Sequence, residues 1–344
     1  MTRTIRYPFA EAPEAGAALT VAPGVLWIRL PLPMALDHVN IFAFDDGDSW
    51  TIVDTGFLSK RGIALWQDLL AGPLGGKPVS RVIVTHHHPD HIGMAGWFQT
   101  TQSAELVTTR TSWLTARMLV LDEQARPTEE TLKFYRRAGM DRAVYEKRAE
   151  DRPFNFADMV APLPLGYARI QEGDVIRFGG RDWDVRIGNG HAPEHATFWS
   201  RDDNLVLGGD QLLPSISPNL GVYPTEPDAD PVGEWLASCA ALSPFATPDQ
   251  LVLPGHKLPF VGLPFRMQQL ADNHIGALER LIAHLDTPRT AHDCFLPVFK
   301  REITGGEYGL ALVEAVAHLN HLYLSGQATR HLRDDGAYVF QNVH

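Results

Sequence analysis

The amino-acid sequence predicts an α+β fold: two strand-rich stretches, a helical insertion between them, and a separate helical tail. Three observations carry this. Short β-rich runs with turn residues between them fill the first part of the chain and return from about residue 174 to 253. The intervening stretch, residues 111 to 150, is helical in character and dense in charge. Beyond residue 262 the apolar spacing becomes helical and closes on a short hairpin pattern. Two domains are therefore expected, 1–262 and 263–344, with the helical insertion at about 111–165 in the first.

Taken in order, Gly24–Leu30 and Val39–Phe44 are short apolar runs rich in β-branched and aromatic residues. Asp45-Asp-Gly-Asp48 reads as a turn, and Ser49–Val53 as the next strand. Arg61–Ala71 has helical spacing and stops at Gly72-Pro73 and Gly75-Gly76. Arg81–Thr85 reads as a buried strand. Between Arg110 and Arg152 stand ten Lys or Arg and eight Asp or Glu, a local +2 within a chain of net charge −11. Strand patterns resume at Asp174–Phe178, Trp183–Ile187, Leu205–Leu207 and Leu251–Leu253. Pro264–His284, Thr290–Phe299 and Leu310–Leu324 are expected helices, and Ala328–Arg330 with Ala337–Phe340 a small hairpin.

Bulk composition narrows the function classes. Hydrophobic residues make up 44% and charged residues 21%, the balance of a globular protein. A net charge of −11 repels nucleic-acid phosphates and anionic membranes at long range. The two cysteines, Cys239 and Cys294, form neither a disulfide framework nor a thiolate metal motif and read as buried thiols. Met1–Leu19 lacks the apolar core of a signal peptide, and no stretch reaches the roughly 18 apolar residues of a membrane span. A cytoplasmic enzyme is the expectation.

The chemistry-bearing signal is Thr85-His-His-His-Pro-Asp-His91. Three further runs repeat one theme: Val185-Arg-Ile-Gly-Asn-Gly-His191, Leu205-Val-Leu-Gly-Gly-Asp210 and Leu251-Val-Leu-Pro-Gly-His256. Each is an apolar strand that stops at Gly or Pro and then presents a metal-capable side chain. Strands ending at one sheet edge bring such residues together, and the glycines let backbone approach closely.

With these motifs the sequence resembles the metallo-β-lactamase superfamily over about residues 20–260. Its His-x-His-x-Asp-His motif stands here as His86, His88, Asp90 and His91, the single ligands as His191, Asp210 and His256, and the upstream strand end as Val53-Asp54-Thr55-Gly56. The resemblance implies a four-layer αβ/βα sandwich with two divalent metal ions at one edge. His86, His88 and His191 would hold the first, Asp90, His91 and His256 the second, and Asp210 would bridge them. Zinc suits imidazole and carboxylate donors, as iron and manganese also do. A hydroxide shared by the ions would attack a carbonyl or phosphoryl centre, with Asp90 handling a proton.

Around this set, His87 should point away from the metals, and Asp54 should orient the His86–His91 loop. His195 either contacts substrate or buttresses the site. Tyr223 either packs or donates a hydrogen bond to an oxyanion. In the insertion, Phe134, Tyr135, Arg136, Arg137 and Tyr145 form either a salt-bridged helical face or a pocket for an anionic group. Residues 263–344 resemble a small winged-helix-like domain. With seven Lys or Arg against nine Asp or Glu, it is expected to pack or dimerise rather than bind nucleic acid. The ligand set looks most like the glyoxalase II, lactonase and ribonuclease branches, the bridging aspartate arguing against a true β-lactamase. The expected activity is hydrolysis of a thioester or related small-molecule ester, such as an acyl-CoA or hydroxyacyl thioester. A lactonase, a single-strand ribonuclease or phosphodiesterase, and a non-enzymatic binding protein whose metals are absent or inert are the alternatives.

Overall fold

The structure is a computed structural model and describes residues 4–343; the outermost residues of the two expected domains, 1–3 and 344, lie outside the described residues. The strands are β1 (Ala18–Ala22), β2 (Val25–Pro31), β3 (His38–Asp45), β4 (Trp50–Val53), β5 (Val79–Ile83), β6 (Glu105–Thr109) and β7 (Ala168–Ile170), then β8 (Val175–Phe178), β9 (Arg181–Gly188), β10 (His195–Ser200), β11 (Leu205–Gly209), β12 (Leu251–Pro254), β13 (Ala328–Leu332) and β14 (Tyr338–Asn342). The helices are α1 (Lys60–Ala71), α2 (Pro89–Ile92), α3 (Ala95–Thr101), α4 (Arg110–Leu121), α5 (Glu129–Arg137), α6 (Arg142–Glu150), α7 (Pro231–Leu242), α8 (Leu263–His284), α9 (Phe295–Phe299) and α10 (Tyr308–Leu324). The chain divides into two units, each drawn from several segments: 1–123, 155–218 and 242–267 in the first, 124–154, 219–241 and 268–344 in the second.

The first unit holds two sheets, β1 to β7 in sequence order and β12-β11-β10-β9-β8. Successive side chains on a strand face opposite ways, so an apolar strand feeds two cores at once. On β2, Trp27 joins the layer between the sheets, and Ile28 joins the layer under the helices; on β3, Phe42 and Phe44 face the first and Ile41 and Ala43 the second. The layer between the sheets is completed by Phe178, Trp183, Phe198, Leu207 and Leu253. Trp66 of α1 and Phe98 of α3 cover the outer face of the first sheet, their rings edge-to-face at 4.7 Å. Val206 and Val252 face outward from the second sheet onto Leu263 and Met267 at the start of α8. This is the four-layer αβ/βα order expected from the sequence.

The second unit is helical, with a core built from Trp235, Leu270, Leu281, Leu312, Leu319 and Phe340 among others. Its hairpin β13–β14 forms where the sequence predicts one. The helix expected over Thr290–Phe299 is shorter. Only Phe295–Phe299 is α-helical, because the Thr290 hydroxyl and backbone N–H both donate to Asp293, closing a turn and a 3₁₀ segment ahead of it. The aromatic and basic residues of α5 and α6 are engaged with one another. Phe134 is buried in the core, Arg136 donates to the Tyr145 hydroxyl at 2.8 Å, and Arg148 lies over the Tyr135 ring. Among the described residues no helix is long and apolar enough to cross a membrane.

Close approach fixes the segment leading into the first unit's helices. A Cβ on Gly96 would strike the carbonyl of Pro162, which is backbone and cannot swing aside. Gly96→Ala is therefore expected to cost about 1–3 kcal/mol. The reading is a thermal unfolding midpoint lowered by several degrees with unchanged far-ultraviolet circular dichroism.

Candidate metal centre

Four strand ends meet at one edge of the sandwich. Beyond β5 the chain carries Thr85, His86 and His88 into the short helix α2, which presents Asp90 and His91. His191 follows β9, Asp210 follows β11, and His256 follows β12. The parallel pairing of β11 with β12 runs Leu205↔Leu251 through Gly209↔Pro254, so Asp210 and His256 leave the sheet side by side. Gly255 admits this crowding, since a Cβ there would meet the Asp210 carboxylate and the His91 ring.

Three ring nitrogens face one another. His86 Nε2 lies 3.0 Å from His88 Nδ1, His88 Nδ1 lies 3.0 Å from His191 Nε2, and His191 Nε2 lies 3.3 Å from His86 Nε2. A neutral imidazole has one N–H. The Thr85 hydroxyl donates to Asp54, so His86 Nδ1 at 3.0 Å must give its hydrogen to the Thr85 oxygen. His86 then aims a bare lone pair at the other two rings. Mutual hydrogen bonds cannot satisfy such a triangle. Its edges match a tetrahedral zinc site, where bonds of about 2.0–2.1 Å put ligand nitrogens roughly 3.3 Å apart.

A second group adjoins the first. His91 Nδ1 donates to Asp54 Oδ2 at 2.8 Å, and His256 Nδ1 donates to the carbonyl of His38 at 2.7 Å. Both rings therefore aim Nε2 inward, where Asp90 Oδ2 lies 3.6 Å from His91 and 3.4 Å from His256. Asp210 spans the two groups: Oδ1 is 3.4 Å from His91 Nε2, while Oδ2 is 3.4 Å from His191 Nε2 and 3.3 Å from His256 Nε2. His91 Nε2 and Asp210 Oδ1 are buried without a hydrogen-bond partner. Buried orphans of this kind, on a donor set of imidazole and carboxylate, fit divalent cations.

Electrostatics point the same way. Burial, reinforced by the neighbouring rings, holds His86 and His88 well below the usual imidazole range, leaving both neutral as ligands must be. Burial also disfavours charge on His256, yet Asp210 and Asp90 overcome it and raise its pKa to about 10; His91 is raised in the same way by Asp210, Asp90 and Asp54. The carboxylates thus demand positive charge, which protons supply when cations do not.

Asp54 lies behind the ligands as expected. It adopts a left-handed backbone conformation with φ of 63°, and its carboxylate accepts from the Thr85 N–H, the Thr85 hydroxyl and His91. His87 points away, its ring near Phe156. His195 is fully buried, stacks on His86 at 4.5 Å, and accepts the Asp210 N–H at 3.1 Å. Of its two expected roles, this geometry serves buttressing. Tyr223 belongs to the second unit, with an exposed ring. Two residues escape the sequence reading. His38 holds the turn at Lys257 by accepting its N–H at 2.9 Å, and Asn40 donates to the carbonyls of Pro254 and Lys257. The available signal is Asn40 itself, a polar residue inside the apolar run Val39–Phe44 that needs buried partners.

Cation uptake must displace the protons on His91 and His256. Affinity is therefore expected to rise with pH up to about 10, where His256 loses its proton unaided, and to fall in acid, with proton release visible by calorimetry in buffers of different ionisation enthalpy. A pH-independent affinity would contradict this charge balance. Asp54→Asn is expected to weaken cation affinity about 10–100-fold in chelator competition, because it loosens both the Thr85 backbone and the His91 ring.

Comparison with known proteins agrees with this geometry. The profile of the Metallo-beta-lactamase superfamily matches residues 34–256, and that of the Metallo-beta-lactamase-like C-terminal domain matches residues 278–343. The chain is 25% identical over 332 residues to the probable metallo-hydrolase YqjP of Bacillus subtilis, covering 91% of this chain and 97% of that one. A beta-lactamase domain protein from Burkholderia ambifaria superposes with a TM-score of 0.90 at 35% identity, covering 98% of both chains. The metallo-beta-lactamase family protein TTHA1429 from Thermus thermophilus superposes with a TM-score of 0.77 at 25% identity, covering 94% of this chain and all of that one. The chain belongs to the metallo-beta-lactamase superfamily.

Proposed function

We propose that the protein is a dinuclear metallohydrolase acting on a thioester or related ester of a small molecule, an acyl-CoA or hydroxyacyl thioester. The observation that carries the dinuclear reading is Asp210, whose two oxygens reach nitrogens of both donor groups within 3.3–3.4 Å. The first group is His86, His88 and His191, the second Asp90, His91 and His256. Zinc fits these donors, with iron and manganese as the other candidates. The absence of a thiolate from the donor groups supports an esterase-type set over a cysteine-ligated one, for Cys239 and Cys294 both belong to the core of the second unit.

Two divalent ions at these positions supply an acidified water and an electrophile for the carbonyl oxygen. The chain's own residues do the rest. Asp54 and the His38 carbonyl hold the His91 and His256 rings in the tautomer that leaves Nε2 free. His195 fixes Asp210 through its backbone N–H and is a positioning residue. Asp90, with 16% of its side chain exposed against 8% for Asp210, is the carboxylate open to substrate and accepts the proton of the attacking water. The carbon–sulfur bond then breaks, and the departing thiolate takes the proton back. For the tail we retain a winged-helix-like reading, with α10 followed by the β13–β14 hairpin. Its net charge of −2 favours packing or homodimer formation over nucleic-acid binding.

Free thiol release from acyl-CoA and acyl-glutathione substrates is the expected activity, abolished by chelation and restored by zinc. Asp210→Asn is expected to lower kcat/KM at least on the order of 10²–10³-fold. The same panel carries simple lactones, acyl-homoserine lactones and bis-p-nitrophenyl phosphate. Turnover confined to any of these would replace the thioester reading.

A further inference from the structure

The second unit contains a cluster of metal-capable side chains that the centre above does not use. His274 on α8 faces Glu314 and His318 on α10, with one donor atom from each within 4.8 Å of the others. Glu314 and His318 are four residues apart and therefore share one face of α10. Other polar groups on that helix have ordinary partners. His321 pairs with Asp230 at 3.0 Å, and Asn320 donates to the carbonyls of Pro227 and Ala229. The cluster is only partly accounted for in this way.

Its hydrogen-bond arithmetic does not close. His318 Nδ1 donates to the Glu314 carbonyl at 2.8 Å, so in the neutral ring Nε2 is a lone pair. That lone pair lies 3.3 Å from His274 Nδ1. If His274 donates across this gap, its Nε2 becomes a second lone pair, and that atom is buried without a partner. The Trp235 ring stands edge-on to His274 at 6.1 Å, and its indole N–H is also buried without an acceptor. Both imidazoles are essentially inaccessible, at 1% and 0% exposure. Glu314 is the least buried of the three. Its carboxylate accepts a 2.6 Å hydrogen bond from Asn219, which orients it. The 3.3 Å nitrogen separation equals one edge of the His86–His88–His191 triangle, again the spacing of neighbouring ligands around zinc.

We propose that His274, Glu314 and His318 form a further cation site, a two-nitrogen, one-oxygen set for a zinc-class divalent ion that pins α8 to α10. Burial, the largest cause at each, suits these groups to the role: with smaller contributions from their neighbours, it lowers His274 to about 3 and His318 to about 4, keeping both neutral, and raises Glu314 to about 8 until a cation arrives. Three protein ligands leave one position open, as in sites that bind a fourth, exchangeable group.

The test is metal counting on the full chain. Chelator-stripped protein is dialysed against zinc and its content measured by mass spectrometry, with cobalt substitution followed by visible absorption. Glu314→Gln and His318→Gln are each expected to bind one equivalent less than wild type, whatever the first centre holds. Both should lose the metal-induced rise in unfolding midpoint that belongs to this unit, with unchanged near-ultraviolet dichroism of the stripped protein. A second arm is independent of how those variants fold: a His86→Ala/His91→Ala double variant should still retain one equivalent. Unchanged stoichiometry in both single variants, or no ion left in the double variant, overturns the proposal.

Discussion

Asp210 sets its two oxygens 3.3–3.4 Å from His91, His191 and His256, and Asp90 stands at 3.4–3.6 Å from two of the same rings. Lone pairs and carboxylates at such separations repel unless positive charge lies between them, and burial removes the water that would screen them. The first unit is arranged around this demand. Three of the five imidazoles have the outer nitrogen committed, His86 to Thr85, His91 to Asp54 and His256 to the His38 carbonyl, so that their inner nitrogens have no choice of role. A ring free to rotate or change tautomer could meet the demand by turning away; these cannot.

The sandwich supplies that rigidity by crossing between its sheets. Asn40 belongs to the first sheet but donates to Pro254 and Lys257 in the second, and its own N–H donates to the carbonyl of Gly255. The turn that presents His256 is therefore fixed by a strand distant in sequence. Asp54 plays the matching part within the first sheet, tying the end of β4 to the loop after β5 through Thr85. Its left-handed backbone is a conformation that Asp tolerates better than most residues, and the three hydrogen bonds it accepts offset the strain.

The ligand set was legible in sequence because each ligand follows an apolar run that ends at Gly or Pro, a pattern that encodes strand, turn and site together. The four-layer order was legible for the same reason, through the resemblance those motifs carry. Other features were not. β10 opens on His195 and buries five of its six residues, so it shows no alternation to distinguish it from a loop beside a ligand. α7, Pro231–Leu242, has Gly and Ser among its apolar residues and lacks a clean stripe. The role of His38 rests on its main-chain carbonyl and one ring nitrogen, and no side-chain pattern announces a carbonyl. The grouping of 124–154 and 219–241 with the C-terminal segment depends on long-range apolar packing, such as Val222 and Phe134 in one core with Leu312. A linear reading sees those stretches only as inserts between strands.

Charge ties the centre to the kind of substrate it can draw. The whole chain carries −11, which at physiological ionic strength acts weakly beyond about 8 Å. At the centre the relevant sum is local: Asp54, Asp90 and Asp210 contribute −3, the imidazoles are neutral as ligands, and the two divalent ions of the proposed function would add +4. So loaded, and before its water is deprotonated, the site would be net positive by one, inside a protein whose overall charge is negative. A long polyanion meets the outer field over many ångströms and is turned away. A compact anion or a polarised carbonyl that enters the cleft meets mainly the inner one. The acidity that counts against nucleic acid is thus compatible with a small acylated substrate, and the two-sign field itself discriminates by ligand size.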